Sequence, residues 1–181
     1  MTATHVALLR GINVGRAKRI AMADLRALFE SLGFGRVRTL LNSGNVVFDV
    51  PARAKKDTGP VIEAAIQKQF GIVSRVTVIR ANDLDLILAE NPLLDVAKDP
   101  SKLLVSVPST RADLARLTPL VAKKWGSEAL AVGARAAYCW SPKGVLDSEV
   151  NKAVAKLLGD SVTSRNWTTM SKLQALANDP S

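Results

Sequence analysis

Four consecutive apolar residues, Val6 to Leu9, stop at Arg10, and a loop that opens on Gly11 and closes on Gly15 follows. This predicts a short buried strand running into a polar loop. Met22, Leu25, Leu28, Phe29 and Leu32 then recur at helical spacing, Gly33 sits where a left-handed C-cap belongs, and Phe34 is placed to fold back on the last turn. Val37, Thr39 and Leu41 alternate with Arg36 and Arg38, a strand with one face buried. Asn42, Ser43, Gly44 and Asn45 supply turn chemistry, because Asn and Gly tolerate positive φ. Val46, Phe48 and Val50 make the return strand of a hairpin. After a polar loop carrying Arg53, Lys55 and Lys56, a second helix is expected, with Thr58 as N-cap, Pro60 in the first turn, and a stripe of Val61, Ile62, Ala65, Ile66 and Phe70 ended by Gly71. Val73–Ile79 is the fourth strand, and the order is β-α-β-β-α-β.

Asn82 is expected to cap a short helix, Asp83–Glu90, which Pro92 ends. Asn91–Ser101 is a polar connector with two prolines and the best boundary between halves. The element order then repeats. Leu103–Val107 reads as a strand, and Ser109 or Thr110 as the cap of a helix through Leu114 and Leu117 that Pro119 bends or restarts. Ala129–Val132 and Ala136–Trp140 flank Gly133 as a second hairpin. Val150, Val154, Leu157 and Leu158 form an amphipathic helix ended by Gly159, Val162 lies in a short extended piece, and Thr168 caps a last helix with Met170, Leu173 and Leu176 on its apolar side. The reading is an α+β chain of two tandem ferredoxin-like units: residues 1–80, a helical connector over 81–101, and residues 102–181 with a C-terminal helix. The repeat rests on element order alone.

That arrangement makes a spatial prediction. In a split β-α-β unit strands one and two are parallel, and strand three lies between them running the other way. The end of strand one and the turn between strands two and three therefore share one end of the sheet. Arg10–Gly15 should meet Asn42–Asn45.

Composition narrows the chemistry. The single cysteine, Cys139, excludes an intrachain disulfide and a multi-cysteine metal site, and the single histidine, His5, removes most His-dependent triads and metal sets. No metal or cofactor is expected. No apolar run approaches the ~20 residues of a membrane span, and Val6–Leu9 is too short for a signal peptide, so a cytoplasmic address with no membrane partner is expected. The formal net charge of +9 moves nucleic acid, nucleotides and acidic partners up the list, while an aromatic content of only 4% counts against a stacking platform for single strands. Residues 10–38 hold seven basic residues against Asp24 and Glu30, a net +5 of the whole.

The charge falls on the predicted corner. Arg10 and Lys18 are candidates to take phosphate charge, since cation–anion hydrogen bonds are the strong ones. Gly15 permits close backbone approach, and Asn13, Asn42, Ser43 and Asn45 are candidates to fix orientation. A turn needs the same Asn and Gly residues, so a purely structural corner is the competing reading. The loop lacks P-loop spacing and is not GxGxxG. A second polar cluster places Arg165 and Asn166 beside Trp167, as a clamp for a planar ligand or as part of the core around a buried Trp. Cys139, in a strand and without a neighbouring His or CxxC partner, reads as inert.

Three segments, LLRGINVG (8–15), MADLRALFESLGFGRVRTLLNSGNVVF (22–48) and SRNWTTMSKL (164–173), resemble the bacterial family called domain of unknown function 1697. Its members often carry Gly-Gly after the Asn-Val, where this chain has Gly15 followed by Arg16. The resemblance implies a duplicated ferredoxin-like α+β unit and brings no activity with it. The expected function is a binding module for a phosphate-bearing ligand, nucleotide or nucleic acid. The alternatives are an enzyme on a small phosphorylated or carboxylated substrate, with Lys18 as its base, and a protein-interaction module. The sequence leaves the oligomeric state open.

Overall fold

The computed structural model describes residues 2–52 and 57–180, so Arg53, Lys55 and Lys56 lie outside the described residues. The chain divides into two compact units. One holds the residues up to Asn82 together with those from Leu173 onward, and the other is Asp83–Lys172.

In the first unit the elements are β1 (Thr2–Leu9), α1 (Met22–Ser31), β2 (Gly35–Leu40), β3 (Asn45–Pro51), α2 (Thr58–Phe70) and β4 (Val76–Arg80). The sheet order is β2-β3-β1-β4 with every pair antiparallel, so β3 runs between β1 and β2 as the ferredoxin-like pattern requires. Ala7, Leu9, Val46, Phe48 and Val50 pack with Leu25, Leu28 and Phe29 of α1 and Ile62 and Ile66 of α2 in one core. Phe48 anchors it, with ring centroids 5.1 Å from Phe29 and 4.8 Å from Phe34. Phe34 reaches that position through the expected chain reversal: Gly33 takes φ +83°, and the Phe34 amide donates to the Phe29 carbonyl.

The second unit holds α3 (Ala81–Ala89, from Asp83 onward), β5 (Leu103–Pro108), a 3-10 stretch over Arg111–Leu117, α4 (Thr118–Val121), β6 (Ala129–Val132), β7 (Ala137–Trp140), α5 (Glu149–Leu158) and β8 (Val162–Asn166). Its sheet order is β6-β7-β5-β8, again all antiparallel. Leu114, Leu117, Ala137, Cys139, Val150, Val154, Leu158 and Val162 form its core. The final helix, α6 (Trp167–Asn178), begins in this unit and ends in the first. The tandem ferredoxin-like α+β reading therefore holds.

Where local elements differ from expectation, a specific polar group explains the difference. Asp57, not Thr58, caps α2, its Oδ1 accepting from the Gly59 amide at 3.2 Å. Asn166, not Thr168, caps α6, its Oδ1 accepting from the Thr169 amide at 2.9 Å. Ser148, fully buried, caps α5 by accepting from the Asn151 amide at 3.1 Å, and a carboxylate oxygen of Glu128 accepts from both Ser148 Oγ and the Val150 amide. The stretch after Thr110 is 3-10 rather than α, because the Thr110 hydroxyl bonds the Asp113 carboxylate and no backbone amide. The boundary between units falls after Asn82, at the start of the expected 81–101 connector and ahead of the expected boundary at Asn91–Ser101. The reason is that α3 is tied into the second unit: the Tyr138 hydroxyl donates to the Ile87 carbonyl at 2.6 Å, and Arg135 bridges Asp83 and Glu90.

Two further differences bear on the site. β4 begins at Val76, not Val73, and β2 ends at Leu40. Leu41, expected on the buried face, takes φ +58° and turns into solvent.

Candidate functional site

The expected meeting of strand one's end with the hairpin turn is present. The Leu9 amide donates to the Gly44 carbonyl at 2.8 Å, and Asn13 Nδ2 donates to the Asn42 carbonyl at 2.7 Å. A third segment joins them, the approach to β4. The Arg10 amide donates to the Arg75 carbonyl at 2.9 Å, and the Ser74 hydroxyl donates to the Arg10 carbonyl at 2.9 Å. Three loops, 10–21, 41–44 and 71–75, thus form one hydrogen-bonded end of the first unit.

The loop after β1 stands on two buried feet, Ile12 and Ile20, and everything from Val14 to Arg19 between them is exposed. Asn13 closes its neck. Its Nδ2 donates to the carbonyls of Ile20 and Asn42, its Oδ1 accepts from the Ile20 amide, and its own amide donates to the Lys18 carbonyl. Both amide protons of Asn13 are committed to backbone. Asn13 is therefore spent on holding the neck of the loop closed. We expect Asn13→Ala to open the neck, which hydrogen exchange will report as lost protection of the Ile20 amide, with a stability loss of about 1–2 kcal/mol.

The other candidates sort in the same way. Asn45 is fully buried, its Nδ2 donating to the Leu40 carbonyl and to Ser43 Oγ at 2.9 Å each, so it shapes the turn from within. Asn42 and Ser43 are exposed at the tip, and Gly15, at φ +64°, is exposed on the loop. Arg10 is half-buried at the strand's end. Lys18 is exposed, and among the described residues neither it nor Arg16 makes a side-chain hydrogen bond or ion pair. Arg19 donates to the Gly15 carbonyl at 3.0 Å and so braces the loop. Loops 10–21, 41–44 and 71–75 carry five basic residues and no acid.

Backbone strain concentrates here. Of the four non-glycine residues with positive φ among those described, Asn13, Lys18 and Leu41 belong to this end. A left-handed bulky residue costs roughly 1–2 kcal/mol.

The remaining two candidates lie on β8 of the second unit. Asn166 is spent as the α6 cap. Arg165 shares a sheet face with its register partner Val105, donates to the Ser164 carbonyl at 2.9 Å, and is buried deeply enough that desolvation pulls its guanidinium down to about 10. Cys139 is fully buried and burial pushes its thiol up to about 12, which makes it a poor nucleophile.

Sequence reasoning missed three residues at this end. Val14 is 71% exposed, Leu41 54% and Val73 67%. The signal for Leu41 was its place directly before Asn-Ser-Gly, where a strand's last residue is exchanged for a turn's first. Val73 gave no such signal, since a β-branched residue ahead of a strand reads as part of it.

No helix among the described residues is long and apolar enough to cross a membrane, and no group of three or more His, Cys, Asp or Glu is placed to hold a metal. The fold and this end of the first unit define a tandem ferredoxin-like α+β protein with a basic, loop-built corner. The family model described as "Protein of unknown function (DUF1697)" matches residues 1–138, and the chain belongs to that family. Its fold is similar to that of the conserved bacterial protein SP0830 from Streptococcus pneumoniae, with a TM-score of 0.80 at 20% identity over 98% of this chain and 100% of that one. No functionally curated protein matches the chain.

Proposed function

We propose that the first unit is a binding module whose basic corner, in a cytoplasmic protein, holds a phosphate-bearing ligand, with nucleic acid ahead of a free nucleotide. One observation carries this reading: a loop locked at its neck by Asn13 and braced by Arg19 exposes Arg16 and Lys18, and among the described residues no side-chain anion pairs with them. A braced loop presents its cations at little ordering cost, and cations without partners gain most from a phosphate. Their exposure suits an extended polyanion better than a small ligand, which needs a concave pocket. The enzyme alternative needed Lys18 desolvated so that it could act as a base, and Lys18 is exposed.

Fluorescence anisotropy with labelled single- and double-stranded oligonucleotides across a salt series tests it. Wild type should bind with affinity falling steeply as salt rises. The double variant Arg16→Ala/Lys18→Ala should lower the log–log salt slope by about 2 and weaken low-salt binding about tenfold or more. Binding with the same slope in wild type and double variant would sink the proposal, as would no binding at low salt.

A further inference from the structure

The same end of the first unit is apolar as well as basic. Among the described residues of that unit, the large aliphatic side chains standing well out in solvent are Val14, Leu41 and Val73, and all three sit on the hydrogen-bonded loop end. Elsewhere in the unit, comparable side chains are drawn into the sheet and helices. The exposure of Leu41 is also enforced: a left-handed backbone at φ +58°, unfavourable for a bulky residue, turns it away from the core its strand neighbours join. An apolar side chain held in water at a conformational cost points to a partner that removes it from water.

The partner must accept two chemistries together. Phosphates of a nucleic acid satisfy Arg16, Lys18 and Arg19 but leave three aliphatic groups in water. A second copy of this chain would bring like charge against like charge, since these loops carry five basic residues and no acid. A bilayer bearing anionic phospholipid supplies both, with phosphate at the headgroup level for the cations and acyl chains just beneath for the aliphatics. It needs no spanning helix. We infer that this end docks peripherally on an anionic phospholipid surface, Val14, Leu41 and Val73 entering the interface while Arg16, Lys18 and Arg19 lie over the headgroups. The inference rests on the phosphate-binding reading for its cations and adds the apolar half.

Co-sedimentation of the full chain with vesicles tests it, comparing phosphatidylcholine alone with phosphatidylcholine carrying phosphatidylserine. The informative variant is Val14→Ser/Leu41→Asn/Val73→Ser. Each change is at an exposed position, and Asn suits the left-handed backbone at 41 better than Leu. Wild type should partition onto the serine-containing vesicles and not onto phosphatidylcholine alone. The triple variant should lose at least about tenfold in partitioning while its oligonucleotide affinity stays within about twofold of wild type. Equal partitioning of wild type and triple variant, or none by wild type, overturns the lipid inference. If oligonucleotides still bind through Arg16 and Lys18 in that event, the phosphate reading stands without it. Loss of oligonucleotide affinity in the triple variant also overturns the inference, because the aliphatic groups then serve a nucleic-acid partner. Absence of both activities removes both readings.

Discussion

Gly44→Ala will destabilise the protein by about 3 kcal/mol or more, whereas Gly11→Ala in the facing loop will cost about 1 kcal/mol. The two glycines share the left-handed backbone, at φ +79° and +70°, so the conformational penalty of a Cβ is common to both. Their surroundings differ. A Cβ on Gly44 would lie 2.7 Å from Leu9 Cβ and 2.8 Å from Ile12 Cδ1, while one on Gly11 meets nothing within 4 Å. Leu9 and Ile12 cannot easily withdraw, since both are buried, one in the central strand and the other as a foot of the basic loop. The overlap therefore pushes the hairpin turn away from β1 and strains the Leu9–Gly44 hydrogen bond. Urea unfolding of both variants at unchanged slope measures the difference directly. Equal midpoints would show that the turn relaxes freely, and the tight joining of the two loops would then be wrong. The same variant should weaken oligonucleotide binding, because the contact it disrupts sets the loop carrying Arg16 and Lys18 upon the sheet.

The architecture was legible because it is written in two periods. Alternation in Val46, Phe48 and Val50, and the helical spacing of Met22, Leu25, Leu28, Phe29 and Leu32, each bury one face, and burial is what the fold needs from those residues. Topology then followed from element order, and with it the meeting of residues 10–15 with 42–45. Caps were less legible. Asp57 and Asn166 do the capping where Thr58 and Thr168 were expected, because several short polar residues sit within two positions of each helix start and only the final backbone path selects among them.

The candidate corner was half legible for a related reason. The meeting of its loops followed from topology, glycine and asparagine. The division of labour did not, because an asparagine that binds a ligand and one that closes a turn look alike in sequence. Asn13 spends both side-chain donors on backbone and Asn45 spends its own on the Leu40 carbonyl and the Ser43 hydroxyl, while Arg16 and Lys18 are exposed. Leu41 and Val73 were the least legible. Both continue an alternating or β-branched pattern by one or more residues past the point where the strand's hydrogen bonds stop or before they start, and side-chain pattern alone carries no information about that limit.

The second unit carries a large effect of its own, at alkaline pH. Burial pushes the Cys139 thiol from an ordinary 9.0 up to about 12, and burial, aided by the Glu90 carboxylate and opposed by Arg135, raises the neighbouring Tyr138 phenol from 10.0 to about 12. Both groups are neutral in the folded chain and titrate first in the unfolded one. For such a raised acid the unfolded state gives up its proton earlier, so stability is intact below about pH 9 and falls as pH rises towards 12. The raised thiol can contribute a few kcal/mol at most, and most of that is lost by about pH 11. Cys139→Ala separates this from the titration of lysines, which is common to both proteins. Near neutral pH the variant should be the less stable by about 1 kcal/mol, because a packed sulfur is gone from β7. By about pH 11 the order should reverse, since the variant has no buried thiol to deprotonate. Urea midpoints of the two proteins across that range should therefore cross. Parallel curves would mean that Cys139 opens to water before it ionises, and that the buried cluster it shares with Ala137, Val150 and Val154 is looser than their burial shows.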